Sequence, residues 1–274
     1  MAKTLALITL HGMGDTAPDY ADELFERLRR EVGQPTWDRV VHRSIYYQGI
    51  LQNNQAAIFN RMRAQIDWMQ LRKFLLYGFS DAGSLEYKKE APGSPYLRTQ
   101  QEIRGQLDQV FAAVGAVPLI VVAQSLGGHV ISSYIWDALR QPQASVGVWH
   151  GMPTDGVAGG SAQDRFRRMR TLVRLYTTGC NIPLFVAGHP SIEAIPAPHA
   201  QFRWFNFFDE DDVLGWPLQP LSPSYDQLVE DVAVNAGSGL VGTLVKSWNP
   251  LSHEGYWSDS AVVEHIASSI RQFS

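Results

Sequence analysis

The sequence predicts an α/β fold, a doubly wound and mostly parallel sheet covered by helices on both faces and interrupted by a helical insertion. Three observations lead there. Short runs of aliphatic and β-branched residues, such as Leu5 to Leu10 and Leu119 to Ala123, have the unbroken apolar character of strands buried on both sides. Amphipathic stretches alternate with them along the chain. Glycine and proline stand at the junctions, as at Gly12, Gly115, Pro118 and Pro142. Alternating strands and helices make a parallel sheet wrapped by crossover helices.

Leu5 to Leu10 is the first strand. It is too short to span a membrane and runs straight into His11-Gly12-Met13-Gly14 without a small-residue cleavage site, so it is not expected to be a signal peptide. Tyr20 to Val32 follows with Leu24, Leu28 and Val32 on one helical face, and Val40 to Tyr46 reads as a second strand. From about Leu51 to Tyr96 the alternation lapses into an aromatic-rich stretch, expected to be a helical lid or cover over the sheet. Thr99 to Val114 is amphipathic, Leu119 to Ala123 is a strand, and Val130 to Leu139 continues as a helix. Gly147 to Gly160 reads as a loop. Further strands are expected at Leu172 to Thr177, Phe202 to Phe208 and Thr243 to Trp248, and a terminal helix at Ala261 to Ile270. With 274 residues, 45% of them hydrophobic, one domain spanning 1–274 is expected.

A charged fraction of 18% and a net charge of -4 give no general attraction for nucleic acid. The single cysteine, Cys180, excludes an intrachain disulfide, so nothing demands an oxidising compartment and a cytoplasmic location is expected. No stretch is long and apolar enough for integral membrane association. Arg165, Arg167, Arg168, Arg170 and Arg174 form a basic run, read as a solvated helix face in preference to a lipid-headgroup contact.

Val121-Val122-Ala123-Gln124-Ser125-Leu126-Gly127-Gly128 places a serine where a strand meets a helix. A turn sharp enough to expose a nucleophile brings strand and helix almost into contact, so positions two before and two after the serine must be small. Ala123 and Gly127 satisfy this. Ser125 is therefore the candidate nucleophile, against the alternative of a helix cap. His11-Gly12-Met13-Gly14, at the end of the first strand, is placed to supply one backbone donor of an oxyanion hole, from Met13, with Leu126 supplying the second. An acid and then a histidine should follow the serine in the chain. Asp209-Glu210-Asp211-Asp212 ends a strand and offers Asp209, Asp211 and Asp212 as candidate acids; a calcium loop is the structural alternative, though EF-hand spacing is missing. His253, in a loop before the last helix, is the candidate base. His129 and His265 lie within helices and are expected to pack, while His150, His189 and His199 precede the acid. No metal or cofactor is expected.

Taken together, HGMG, SLGGHVIS, TTGCNIPLF, NFFDEDDVLGWPL and SHEGYW resemble the spaced motifs of bacterial lipase-like and esterase-like α/β-hydrolases, over nearly the whole chain. The resemblance implies the α/β-hydrolase fold and a Ser-His-Asp mechanism, Ser125 carrying an acyl group from a small-molecule ester or lipid; because such proteins place the acid just ahead of an apolar segment leading to a proline, it makes Asp212 the preferred acid, with Asp209 and Asp211 in reserve. Phospholipase or thioesterase activity, and a catalytically silent binding protein on the same fold, are the alternatives. It also places Cys180 near the carboxyl edge of the sheet, where burial would make it a packing residue.

Overall fold

The computed structural model describes residues 2–14, 16–65, 67–140, 147–150, 155–236 and 252–274, apart from the side chains at 53, 54, 70, 74 and 252–254. Six strands form one sheet: β1 (Leu5–Leu10), β2 (Val40–Ile45), β3 (Leu119–Gln124), β4 (Leu172–Thr178), β5 (Arg203–Phe208) and β6 (Val229–Ala233). Their spatial order is β2-β1-β3-β4-β5-β6, and every neighbouring pair is parallel. β1 and β4 are buried along their whole length and β3 over all but its last residue, which is why these segments are apolar without alternation. β2, at an edge, is buried only at its ends.

Strand periodicity divides the core in two. Ala6, Ile8, Leu10, Val121 and Ala123 face one side, packed under α6 (Pro95–Val114) and α7 (Leu126–Leu139). Leu5, Leu7, Ile120 and Val122 face the other, under α1 (Asp22–Val32) and α11 (Ser260–Phe273). This is the doubly wound arrangement the sequence predicts. α6 begins at Pro95, four residues ahead of the expected start at Thr99, because Ser94 caps it by accepting from Leu97 N at 3.2 Å and proline is tolerated at the first helical position.

The short α2 (Gln34–Trp37) leads into β2. Between β2 and α6 the insertion is helical, as expected: α3 (Gln48–Leu51), α4 (Asn53–Met62) and α5 (Met69–Glu86). α8 (Ala162–Arg167) precedes β4, α9 (Ile182–Val186) follows it, and α10 (Pro223–Leu228) leads into β6. Among the described residues no helix is long and apolar enough to cross a membrane.

Two expectations need amendment. The arginine run is not one solvated face: Arg165 and Arg170 are exposed, but Arg167 and Arg174 are buried. Arg167 Nη1 lies 2.7 Å from Asp155 Oδ2 and 3.8 Å from Asp108 Oδ2, and Arg174 reaches Gln201 O at 2.8 Å and Gln272 Oε1 at 2.9 Å. The partners that make burial tolerable come from remote parts of the chain and are invisible in the run itself. The second is β6, a sixth strand in Val229–Ala233 that the sequence reading passes over. The strand expected at Thr243 to Trp248 lies outside the described residues, as do parts of the loop expected at Gly147 to Gly160.

Candidate active site

Strand register brings the motifs together. Leu10 pairs with Ala123, so the chain leaving β1 at His11-Gly12 emerges beside Gln124-Ser125 leaving β3. Gln124 pairs with Thr178, and Thr178 with Phe207, which carries the same edge across to the acidic loop after β5. Parallel strands all present their carboxyl ends to one crevice, the usual ligand-binding edge of such sheets.

Ser125 is buried at the turn between β3 and α7, with φ 51 and ψ -121. A non-glycine residue in this conformation is strained and is held by its surroundings. Ser125 N donates to Thr178 O at 2.9 Å, and Ser125 O accepts from Gly128 N at 3.0 Å. The small neighbours are required. A Cβ on Gly127 would sit 2.6 Å from His11 O and 2.9 Å from Leu10 O, and one on Gly128 would sit 2.7 Å from Cys180 Sγ. Gly12 closes over the serine from the other side, where an added Cβ would be 2.8 Å from Ser125 Cβ and 3.5 Å from its Oγ. Among the described residues the buried Ser125 hydroxyl has no hydrogen-bond partner.

The loop of Gly12 and Met13 is braced from within. His11 is buried; its Nδ1 donates to Gly12 O at 2.7 Å and its Nε2 accepts from Tyr47 N at 3.1 Å, with the Tyr47 ring stacked at 4.0 Å. Burial lowers the imidazole pKa to about 4, against the smaller raising effect of the bond to Gly12, so it stays neutral and can accept that N–H. Leu126 opens α7, so its own N–H has no acceptor within the helix.

The three aspartates after β5 are in different situations. Asp209 is buried and its oxygens accept from Asp211 N at 2.9 Å and Ala236 N at 2.8 Å, a structural clamp between loops. Asp211 is exposed. Asp212 is 5% exposed; its Oδ1 accepts from Leu214 N at 3.0 Å and its Oδ2 from Tyr256 Oη at 2.9 Å. Gly215 permits this approach, since a Cβ there would stand 2.5 Å from Asp212 Oδ2. Tyr256 Oη also accepts from Asp209 N at 2.9 Å, and Trp257 Nε1 donates to Thr178 Oγ1 at 3.1 Å. Both residues belong to the 3-10 segment Ser252–Ser258, so the segment carrying His253 is fastened to the acidic loop and to the end of β4. The His253 side chain itself is outside the described residues.

The remaining candidates pack. His129, one turn into α7, stacks on Phe185 at 3.9 Å and lies 3.5 Å from Glu86 Oε1; its hydrogen bond holds the Glu86 carboxyl at about 2. Cys180 follows β4 at the carboxyl edge, as expected. Burial pushes its thiol up to about 12, which suits packing against Gly128 and not nucleophilic attack. His265, in α11, is set edge-on to Phe205 at 4.5 Å.

Sequence reading missed Asp81 in α5. It is buried, with Oδ2 accepting from Gln52 Nε2 at 2.8 Å and, at 3.4 Å, from Gly14 N, and Oδ1 accepting from Gln55 Nε2 at 2.8 Å. A signal was present: Tyr77, Asp81 and Leu85 fall at i, i+4 and i+8 on the buried stripe of α5, and an acid on such a stripe needs a partner.

No protein-family model matches the chain, and no curated protein matches it. Solved structures do match in architecture. An esterase from Pyrobaculum calidifontis superposes with a TM-score of 0.50 at 10% identity, over 99% of this chain and 77% of the other. A carboxylesterase from Lactobacillus plantarum gives 0.48 at 13% identity, over 99% and 85%. With its parallel sheet and its strained serine on the turn after β3, the chain has the α/β-hydrolase fold.

Proposed function

We propose that the chain is a serine hydrolase that cleaves carboxylic esters through an acyl-enzyme on Ser125. The observation that carries the reading is the serine itself: a non-glycine residue held at positive φ, its hydroxyl buried without a described partner and packed against Gly12 of the loop after β1. A helix cap would accept from the first-turn amides, and Ser125 makes no such bond. The argument rests on the site, because a fold shared at 10% identity carries many chemistries.

In the proposed mechanism Ser125 Oγ attacks the ester carbonyl carbon while His253 takes the hydroxyl proton. Asp212 orients the imidazole and stabilises its charged form. The N–H groups of Met13 and Leu126 hold the oxyanion as the tetrahedral intermediate forms. Collapse expels the alkoxide, which His253 protonates. Water, deprotonated by the same histidine, then attacks the acyl-enzyme and releases the acid. Asp212 is favoured over Asp211, which faces solvent, by its burial, and over Asp209, whose carboxylate clamps the backbone amides of Asp211 and Ala236, by accepting from the Tyr256 hydroxyl of the segment that carries His253.

Apolar acyl or alcohol groups are favoured by the surroundings. Every large hydrophobic side chain that is markedly exposed, among the described residues, lies on the helical insertion, in α9 after β4 or on the loop after β5. Trp68 and Phe79 on the cover, 77% and 72% exposed, Leu184 in α9, and Val213 and Trp216 on the loop after β5 exemplify this. The test is covalent labelling by a fluorophosphonate probe, expected for the wild type and lost in Ser125→Ala. A folded wild type that takes no label refutes the nucleophile. A chain-length series of p-nitrophenyl esters then separates lipid-like from small esters, with activity rising beyond butyrate expected.

A further inference from the structure

The cover touches the loop after β1 at three points. Gly78 of α5 lies so close to Met13 that a Cβ there would be 2.6 Å from the Met13 sulfur. Asp81, one turn on, accepts from Gly14 N at 3.4 Å, and Gln52 Nε2 donates both to Gly14 O at 2.7 Å and to Asp81 Oδ2 at 2.8 Å. Gly14 is thus gripped at its N–H and its carbonyl by a carboxylate and an amide from two segments of the insertion. Asp81 is 2% exposed, and the His11–Tyr47 brace already fixes Gly12. The residue between the two grips is Met13.

We infer that Asp81 is a positioning residue for the oxyanion hole, fixing the Met13 N–H through Gly14. The inference rests on the reaction proposed above. A backbone donor acts on developing charge only if it is already aimed, and residues 12–14 include two glycines that leave the backbone free to turn. The insertion therefore does more than cover the sheet. The Asp81 turn of the insertion is thereby part of the catalytic frame, tied to the loop through Gly14 and Met13. The buried carboxylate is sustained by its three N–H donors, against a burial that raises its pKa.

Asp81→Ala and Asp81→Asn test this together. Alanine removes both acceptors. Asparagine keeps an acceptor for Gly14 N and Gln52, and its new amide N–H meets Gln55, whose Oε1 is buried without a partner and becomes the acceptor when that amide turns over. In Asp81→Ala, kcat normalised to folded protein is expected to fall about 10- to 100-fold with KM within about twofold, and Asp81→Asn is expected to recover most of it. Hydrogen exchange at the amides of residues 12–14 is expected to accelerate at least tenfold in Asp81→Ala alone, with the rest of the sheet unchanged. Wild-type kcat in Asp81→Ala, a loss confined to KM, or a kcat loss that asparagine does not relieve each overturns the role. If the wild type itself takes no fluorophosphonate label, the proposed reaction fails separately. Exchange then decides the tether alone, unchanged rates at residues 12–14 overturning it.

Discussion

Acidification should unlock the loop through His11. The imidazole is held neutral, and its Nε2 accepts from Tyr47 N, so protonation sets two N–H groups against each other in a buried site. The pKa is depressed in the folded chain, to about 4 from an ordinary 6.5, so the unfolded chain takes the proton first. The stability due to this group is therefore fully present above 6.5 and is lost as the pH falls through about 4. The whole effect is about 3 kcal/mol, most of which is gone by about pH 4.5. His11→Gln retains an acceptor of similar reach and cannot titrate. Urea unfolding followed by tryptophan fluorescence, repeated from about pH 7 to about pH 4.5, should show wild type losing about 2 to 3 kcal/mol more than the variant over that interval. Parallel curves for the two proteins would mean that His11 titrates normally, and the account of the brace would be wrong.

Gly127→Ala places a methyl group 2.6 Å from His11 O and 2.9 Å from Leu10 O, backbone atoms with no side chain to swing aside, and should cost about 1–3 kcal/mol in thermal or denaturant unfolding. Gly105→Ala, exposed in α6 with nothing within 4 Å of the new atom, should instead stabilise by up to about 1 kcal/mol. Equal melting temperatures for the two variants would refute the close approach. For the acid, Asp212→Asn should lower kcat by about 10⁴-fold while preserving the fold, and Asp211→Asn should leave kcat within about twofold. Asp209→Asn should act mainly on stability, since its carboxylate accepts from Asp211 N and Ala236 N. A larger kcat loss in Asp211→Asn than in Asp212→Asn would reassign the acid.

What could be read in the sequence was whatever the backbone imposes locally. A strand buried on both faces must be apolar throughout, so β1, β3 and β4 were visible as runs; a turn that presses α7 against β1 and β4 must be small, so Ala123, Gly127 and Gly128 were visible as an elbow. β6 was not visible. Val229–Ala233 is an edge strand of five residues carrying two acids, and its pairing with β5 is what makes it a strand. Arg167 and Asp81 were misread or missed for the same reason. Each is a charge whose burial is permitted by groups far away in the chain: Asp155 and Asp108 for the arginine, Gly14, Gln52 and Gln55 for the aspartate. His11 shows the same limit from the other side. Its place in HGMG marked the loop, but its neutrality comes from burial in the folded chain, and the Tyr47 N–H that the neutral ring accepts arrives from the far end of β2. The candidate site residues are thus local and readable, while the buried groups that brace the loops around them belong to tertiary structure. That division explains why Ser125 stood out at once and why α5, whose Asp81 reaches Gly14 N beside it, looked like an ordinary cover.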